Sequence, residues 1–153
     1  MKYSQFFFSV GSFFKTIFSV LLSAILFLFM AMLTVTAFPF EGQKEYYLSS
    51  ASSQSLIKSN LGMTDLLLLR GESVCFTVEY ETEKAKQTYL NDILTKYKAK
   101  VLKVENYEDG ISYYCYSAKL KRGVILDGVT INLHVVIKED GITLGTPLIF
   151  GGY

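Results

Sequence analysis

Cys75, Cys115 and His134 are the residues of this 153-residue chain best suited to nucleophilic chemistry. A thiolate beside an imidazole makes a nucleophile, and Arg70 would complete a Cys-His-Arg set. His134 is the only histidine. Alternation along "VTINLHVVIK" puts it with Thr130 and Asn132, opposite the stripe Val129, Ile131, Leu133, Val135 and Ile137. Cys75 lies on the polar face of "SVCFTVEY", opposite Val74 and Phe76. The two meet if those polar faces coincide, giving a small envelope enzyme as one function class. The plainer expectation is a surface histidine on a solvated sheet face, because a residue pair without supporting groups seldom makes a site. A Cys75–Cys115 disulfide needs close strands and matching faces, and the face of Cys115 between Tyr114 and Tyr116 is open. Two partly buried free thiols are the simpler expectation.

Other chemistries find less support. No CxxC or metal-ligand spacing occurs, and the glycines at 123, 128, 141, 145, 151 and 152 suit turns rather than a phosphate loop. No cofactor is called for. Glu79, Glu81 and Glu83 cluster where a helix begins, which suits its dipole. Two surfaces stand out for binding instead. Tyr113, Tyr114 and Tyr116 share one strand in a chain with 11 Tyr and no Trp, and with His134 they form a candidate interaction surface. Lys96, Lys98, Lys100 and Lys103 form a candidate basic patch for anionic lipid or wall polymer, with a solvated helix end as the plainer reading.

The elements that must position these residues follow from pattern. "SVCFTVEY" alternates as a half-buried strand. In "TEKAKQTYLNDILTKYKAK" the spacing of Ala85, Tyr89, Ile93 and Tyr97, with Leu90 and Leu94 beside them, predicts a helix. Four strands follow: "KVLKVEN", "ISYYCYSAKL", "VTINLHVVIK" and "ITLGTPLIF". Turns at Asp109-Gly110 and Asp140-Gly141, and a loop through Asp127-Gly128, separate them. Pro147 marks the last strand as an edge or bulged strand. The expected fold is α+β: strand, helix, then an antiparallel meander of four strands with the helix on one face.

Ahead of this domain, "TIFSVLLSAILFLFMAMLTVTAFPF" has no charged residue. Ile17 to Phe38 is long enough to span a bilayer, which needs about 20 apolar residues. The preceding Phe6, Phe7, Phe8, Phe13 and Phe14 suit the membrane interface, or extend the same helix up to a break at Gly11. Lys2 and Lys15 are the only charges in the first 40 residues, so the positive-inside rule puts the N-terminus in the cytoplasm and the domain outside. A single-pass anchor is expected. The alternative is a secretory leader cut after the small residues Val35-Thr36-Ala37. The remaining 13 basic and 14 acidic side chains nearly cancel, so no broad basic field exists to hold nucleic acid.

The order strand-helix-four strands, with the ending "GVTINLHVVIKEDGITLGTPLIFGGY", resembles the YwmB family, and "LGTPLI" is its most specific piece. The resemblance is best over Gly123 to Tyr153. It implies the β-α-β4 unit for which that family is called TATA-box-binding-protein-like, an exported location and a link to endospore-forming bacteria. It implies no catalytic residues. The family places two units in one chain, whereas this chain has room for one.

The expected organisation is a membrane segment over 1–40, a serine-rich linker or fold-back segment over 41–72, and a β-α-β4 domain over 73–153. The expected function is a membrane-anchored, noncatalytic binding or assembly module of the cell envelope, associated with sporulation through the resemblance. Its partners would be the membrane and either an envelope protein or a second copy. Between a homodimer and a fold-back of Tyr46 to Arg70 over the free face or edge of the sheet, the fold-back is favoured, because local cover loses less association entropy.

Overall fold

The computed structural model describes residues 2–33, 38, 40–78 and 82–150, with helix side chains described from 13 to 30 in the first element. The chain divides into two compact units, Met1–Thr36 and Ala37–Tyr153. The first unit is one helix, α1 (Lys2–Leu33), which runs through Gly11 without a break. Its segment Phe13–Met30 has a mean hydropathy of 2.2 over 18 residues, and its side chains are exposed. At 1.5 Å per residue those residues span about 27 Å, close to a bilayer's hydrocarbon thickness. By length and composition α1 suits either a membrane anchor or a signal sequence. The side chains of Phe6, Phe7 and Phe8, and the whole of Val35-Thr36-Ala37 and Pro39, lie outside the described residues. So do Glu79, Tyr80 and Glu81, and Gly151 to Tyr153.

The second unit is α+β. Its strands are β1 (Gln43–Leu48), β2 (Leu56–Lys58), β3 (Leu69–Thr77), β4 (Ala99–Tyr107), β5 (Gly110–Ser117), β6 (Val124–Leu126), β7 (Val129–Ile131), β8 (Leu133–Lys138) and β9 (Gly141–Thr146). Its helices are the single turn α2 (Asp65–Leu68) and α3 (Glu83–Tyr97). Seven strands make one sheet in the order β2-β1-β3-β9-β8-β5-β4, every pairing antiparallel, and β6 and β7 form a separate hairpin. Residues 43–58 thus fold back and extend the sheet at the β3 edge. The expected strand at Ser73 starts four residues earlier, because Leu69 to Glu72 pair with β1.

Helix α3 begins where Thr82 Oγ1 accepts the Ala85 N–H at 3.3 Å and ends at Lys98, whose φ of 48° closes the last turn. It buries Leu90, Ile93 and Tyr97, spaced 3 and 4 apart, while Tyr89 is exposed. The ridge packs on Val74, Cys115, Leu133, Val135, Ile137, Ile142 and Leu144, the inward positions of β3, β5, β8 and β9. Phe38 and Phe40, grouped on sequence with the apolar N-terminal segment, belong to this core. Phe38 is fully buried, and Phe40 stacks on Phe76 with centroids 5.1 Å apart.

Two expectations about the last strands need correction. The stretch 129–138 is two strands, because Asn132 breaks it. Its side-chain oxygen accepts the Ser117 N–H at 2.6 Å, and its amide nitrogen donates to the Ser117 and Leu120 carbonyls, both at 2.8 Å. Nor is the closing strand an edge: β9 lies between β3 and β8 and ends at Thr146, so Pro147 follows the ladder instead of interrupting it. From there Pro147 to Phe150 cross the sheet face opposite α3. The Ile149 N–H donates to His134 Nδ1 at 3.3 Å, and the Phe150 N–H donates to the Tyr47 hydroxyl at 3.2 Å. Gly145 permits this crossing, since a Cβ there would stand 2.5 Å from the Ile149 side chain and 2.9 Å from its backbone nitrogen.

Candidate functional site

Antiparallel partners share a face, so register decides which singled-out residues meet. Tyr113 pairs with Val135 on the helix face and is half-buried against the core. Tyr114 pairs with His134 on the opposite face, and Tyr116 follows there, paired with Lys100. The four-residue surface of Tyr113, Tyr114, Tyr116 and His134 is therefore split between two faces, and only Tyr116 is exposed. His134 is 3% exposed, not solvated, because the Ile149 backbone and the Tyr114 ring enclose it. Its ring stacks on Tyr114 with centroids 4.5 Å apart and planes 13° apart. Burial pushes its pKa down to about 4, against a smaller upward pull from Glu105.

Around that stack lies a polar network that sequence reasoning missed. Glu105 Oε2 accepts hydrogen bonds from the Tyr107 hydroxyl at 2.6 Å and the Tyr114 hydroxyl at 2.8 Å. Lys103 Nζ pairs with Glu105 Oε1 at 2.9 Å and with Asp127 Oδ2 at 2.8 Å. The hydrogen bonds from Tyr107, Lys103 and Tyr114 hold the Glu105 carboxyl down to about 2. The bonds to Asp127 and Glu105 raise Lys103, and burial raises Tyr114. Near neutrality Glu105 is ionised, Lys103 charged, and Tyr114 and His134 neutral. The network ties β4 to β5 through Tyr114 and to the turn of the β6–β7 hairpin through Asp127. Lys103, Glu105 and Tyr107 recur at every second position of "KVLKVENY", the period that marks one face of a strand. That signal was present in the sequence, but only the register shows Tyr114 and Asp127 completing the network.

The Cys-His arrangement does not form. Cys75 pairs with Thr143, and His134 pairs with Gly145, two residues further along β9. Two strand spacings and a two-residue offset separate their Cα atoms by roughly 12 Å. Arg70 is five residues from Cys75 on the same strand, roughly 17 Å away. Cys75 is exposed on the face away from α3, whereas Cys115 is buried on the helix face. Both are free, and a disulfide between opposite sheet faces is geometrically excluded. Burial pushes the Cys115 thiol up to about 12. Among the described residues no group of three or more His, Cys, Asp or Glu could hold a metal ion.

The basic run disperses too. Lys96 Nζ sits 4.0 Å above the centre of the Phe40 ring, Lys98 caps α3, and Lys103 is neutralised by two carboxylates. Lys100 lies beside Tyr116.

What the arrangement offers is an edge. Strand β4 pairs with β5 on one side, and among the described residues no strand pairs with the other. Leu102, Val104 and Tyr107 on β4, Tyr116 on β5, and Ile125 and Val129 on the hairpin β6–β7 each expose 40% or more. The hairpin turns at Asp127 and Gly128, with φ of 50° and 80°, and Asp127 is tied to β4 through Lys103. Fold and site together define an α+β domain with an open apolar edge strand. Comparisons with protein-family models, curated proteins and solved structures yield no match.

Proposed function

We propose that this chain is an extracytoplasmic, noncatalytic binding or assembly module of the bacterial cell envelope, delivered to the membrane by α1, with β4 as its contact edge. The observation that carries this is the nine-residue edge strand, whose exposed apolar side chains are backed by a fixed polar network. A free edge recruits an extended segment through backbone hydrogen bonds, and apolar side chains on that edge add affinity. The partner is an envelope protein or a second copy of the chain. The order β3, α3, β4, β5, β8, β9 supports the YwmB-like, single β-α-β4 unit. Lys2 and Lys15, ahead of the apolar run, support a cytoplasmic N-terminus. The near-neutral charge argues against nucleic acid.

The test places a photo-crosslinking residue at Tyr116 in living cells, with and without Leu102→Lys and Val104→Asp on β4. The adduct should vanish in both β4 variants and persist with Ile57→Lys on the distant strand β2. Loss with all three, or with none, would overturn the β4 reading. Digestion of the domain by external protease in intact cells checks its location.

A further inference from the structure

The β4 edge is not the only apolar area that the second unit exposes. On the loop from β2 to β3, at the opposite margin of the sheet, Met63 is 62% exposed and Leu67 82%, and Leu68 is exposed beside them. Hydrogen bonds fix this loop. Asp65 is turned inward, where it pairs with Lys58 Nζ at 2.8 Å and accepts the Gly62 N–H at 2.9 Å. The Ser49 N–H donates to the Leu68 carbonyl at 2.8 Å. Lys58 and Asp65 are the only charged residues from Leu56 to Leu69, and they neutralise each other. A neutral apolar tip held out in water marks a surface that meets a partner or a membrane. Three features select the membrane. The chain enters the unit at this end: the Phe38 N–H donates to Glu72 Oε1 at 2.8 Å near the start of β3, and Phe40 lies further along, stacked on Phe76. In the sequence only residues 34–37 separate Phe38 from Leu33, the last residue of α1, and such a stretch reaches about 18 Å at most. Charge is also divided by end. The start of β3 lies with the last turn of α3 and the end of β5, because Phe38 also meets Tyr97 and Ser117 Oγ donates to the Tyr97 carbonyl. Arg70 and Arg122 both donate to the Leu69 carbonyl there, and Lys119 donates to the Lys96 carbonyl. The other end, with the start of α3 and the turns after β4 and β8, carries Glu83, Glu108, Asp109, Glu139 and Asp140, while Lys86 and Lys138 are tied to Glu83 and Asp109. Anionic headgroups attract the first end and repel the second.

We propose that the loop tip of Met63, Leu67 and Leu68 enters the outer leaflet of the membrane, with Arg70 and Arg122 on anionic phospholipid headgroups. The planar guanidinium fork matches phosphate oxygens, and apolar side chains of a surface-bound segment reach about 5–10 Å into the boundary between headgroups and acyl chains. Docking holds the β2 margin of the domain on the bilayer. It leaves β4 open to its partner, roughly 29 Å away across the seven strands. The inference rests on the exported, membrane-anchored reading above.

The full chain carrying Cys75→Ser is reconstituted in vesicles of phosphatidylcholine and phosphatidylglycerol. An environment-sensitive fluorophore is attached at Leu67→Cys or, as the control, at Ile125→Cys, a position nearly as exposed on the β6–β7 hairpin. Continued protection of buried Cys115 from the label shows that each variant is folded. Lipid with a nitroxide just below the headgroup should quench the label at 67 by about half and leave the label at 125 bright. Arg70→Glu combined with Arg122→Glu should remove most of that quenching while the chain stays in the vesicles. A label at 67 quenched no more than the one at 125, on a chain that resists carbonate extraction, would overturn docking and leave the anchor standing. A chain that carbonate strips from cell membranes would overturn the anchor itself. A label at 67 shielded from aqueous iodide yet untouched by the nitroxide lipid would assign the tip to a second copy and overturn the lipid. Unchanged quenching in the double variant would overturn the role of the two arginines.

Discussion

Replacing Asn132 by alanine removes a side chain that joins β5, the loop after it and the junction of β7 with β8. The residue is 2% exposed. Its amide makes three hydrogen bonds, accepting the Ser117 N–H at 2.6 Å and donating to the Ser117 and Leu120 carbonyls at 2.8 Å each. A buried backbone group left without its partner costs roughly 1–3 kcal/mol, with the low end for carbonyls that water can reach. Ser117 is fully buried and Leu120 half-buried, and the Ser117 carbonyl keeps the Leu120 N–H at 3.4 Å, so most of the penalty falls on the Ser117 N–H. The sum is about 3–4 kcal/mol, a large part of the 5–15 kcal/mol typical of a domain. At about 4 °C per kcal/mol the Tm falls by about 12–16 °C. The assay is thermal unfolding of the purified chain followed by the near-ultraviolet circular dichroism of its tyrosines. Asn132→Asp keeps the acceptor but turns a carboxylate against two carbonyls, so its loss should be large at pH 7 and smaller where the carboxyl is protonated. An alanine variant within about 0.5 kcal/mol of the parent would refute the role given to Asn132.

Cys75 should react with a thiol reagent in the native state and Cys115 only on unfolding, with no disulfide under air; protection of both, or a Cys75–Cys115 bond, would contradict the face assignment. His134, held neutral to about 4 from an ordinary 6.5, favours the folded state fully above 6.5. That stability is lost as pH falls from 6.5 toward 4, where the unfolded chain takes up the proton first, and in denaturant titrations His134→Phe should flatten this slope. Tyr107→Phe removes the hydrogen bond that does most to hold the Glu105 carboxyl down, so that carboxyl should titrate higher in the variant than in the parent when both are followed by NMR. Gly145→Val should drive Pro147 to Phe150 off the sheet, destabilise by about 2–3 kcal/mol and expose His134 to faster ring exchange; an unchanged Tm would count against the crossing.

The alternation in "SVCFTVEY" and the 3,4 spacing of Leu90, Ile93, Leu94 and Tyr97 made β3 and α3 legible, because burial on one face imposes a period that a local window contains. The same holds for the turns that end β4 and β8, and for α1, whose uncharged length is a purely local property. Asn132 was read as one more polar position of an alternating strand, because its partners lie 12 and 15 residues back. His134 was read as solvated because alternation says which face a residue takes, not what later covers that face. The cover came from Ile149, held over the sheet where Gly145 leaves room.

By itself, then, the sequence determined the period and type of the main elements, the apolar N-terminal segment, the near balance of charge beyond it and the lack of metal-ligand spacing. All of these are set by composition or by neighbours within a turn or two. The tertiary structure alone decided the placement of β1 and β2 at the β3 edge, the separation of Cys75 from Cys115 and His134, the Glu105 network, the open edge at β4 and the burial of Phe38 against Glu72. Each depends on strand register or on contacts across tens of residues. One step of register moves a side chain to the other face of the sheet, and no local pattern records that step.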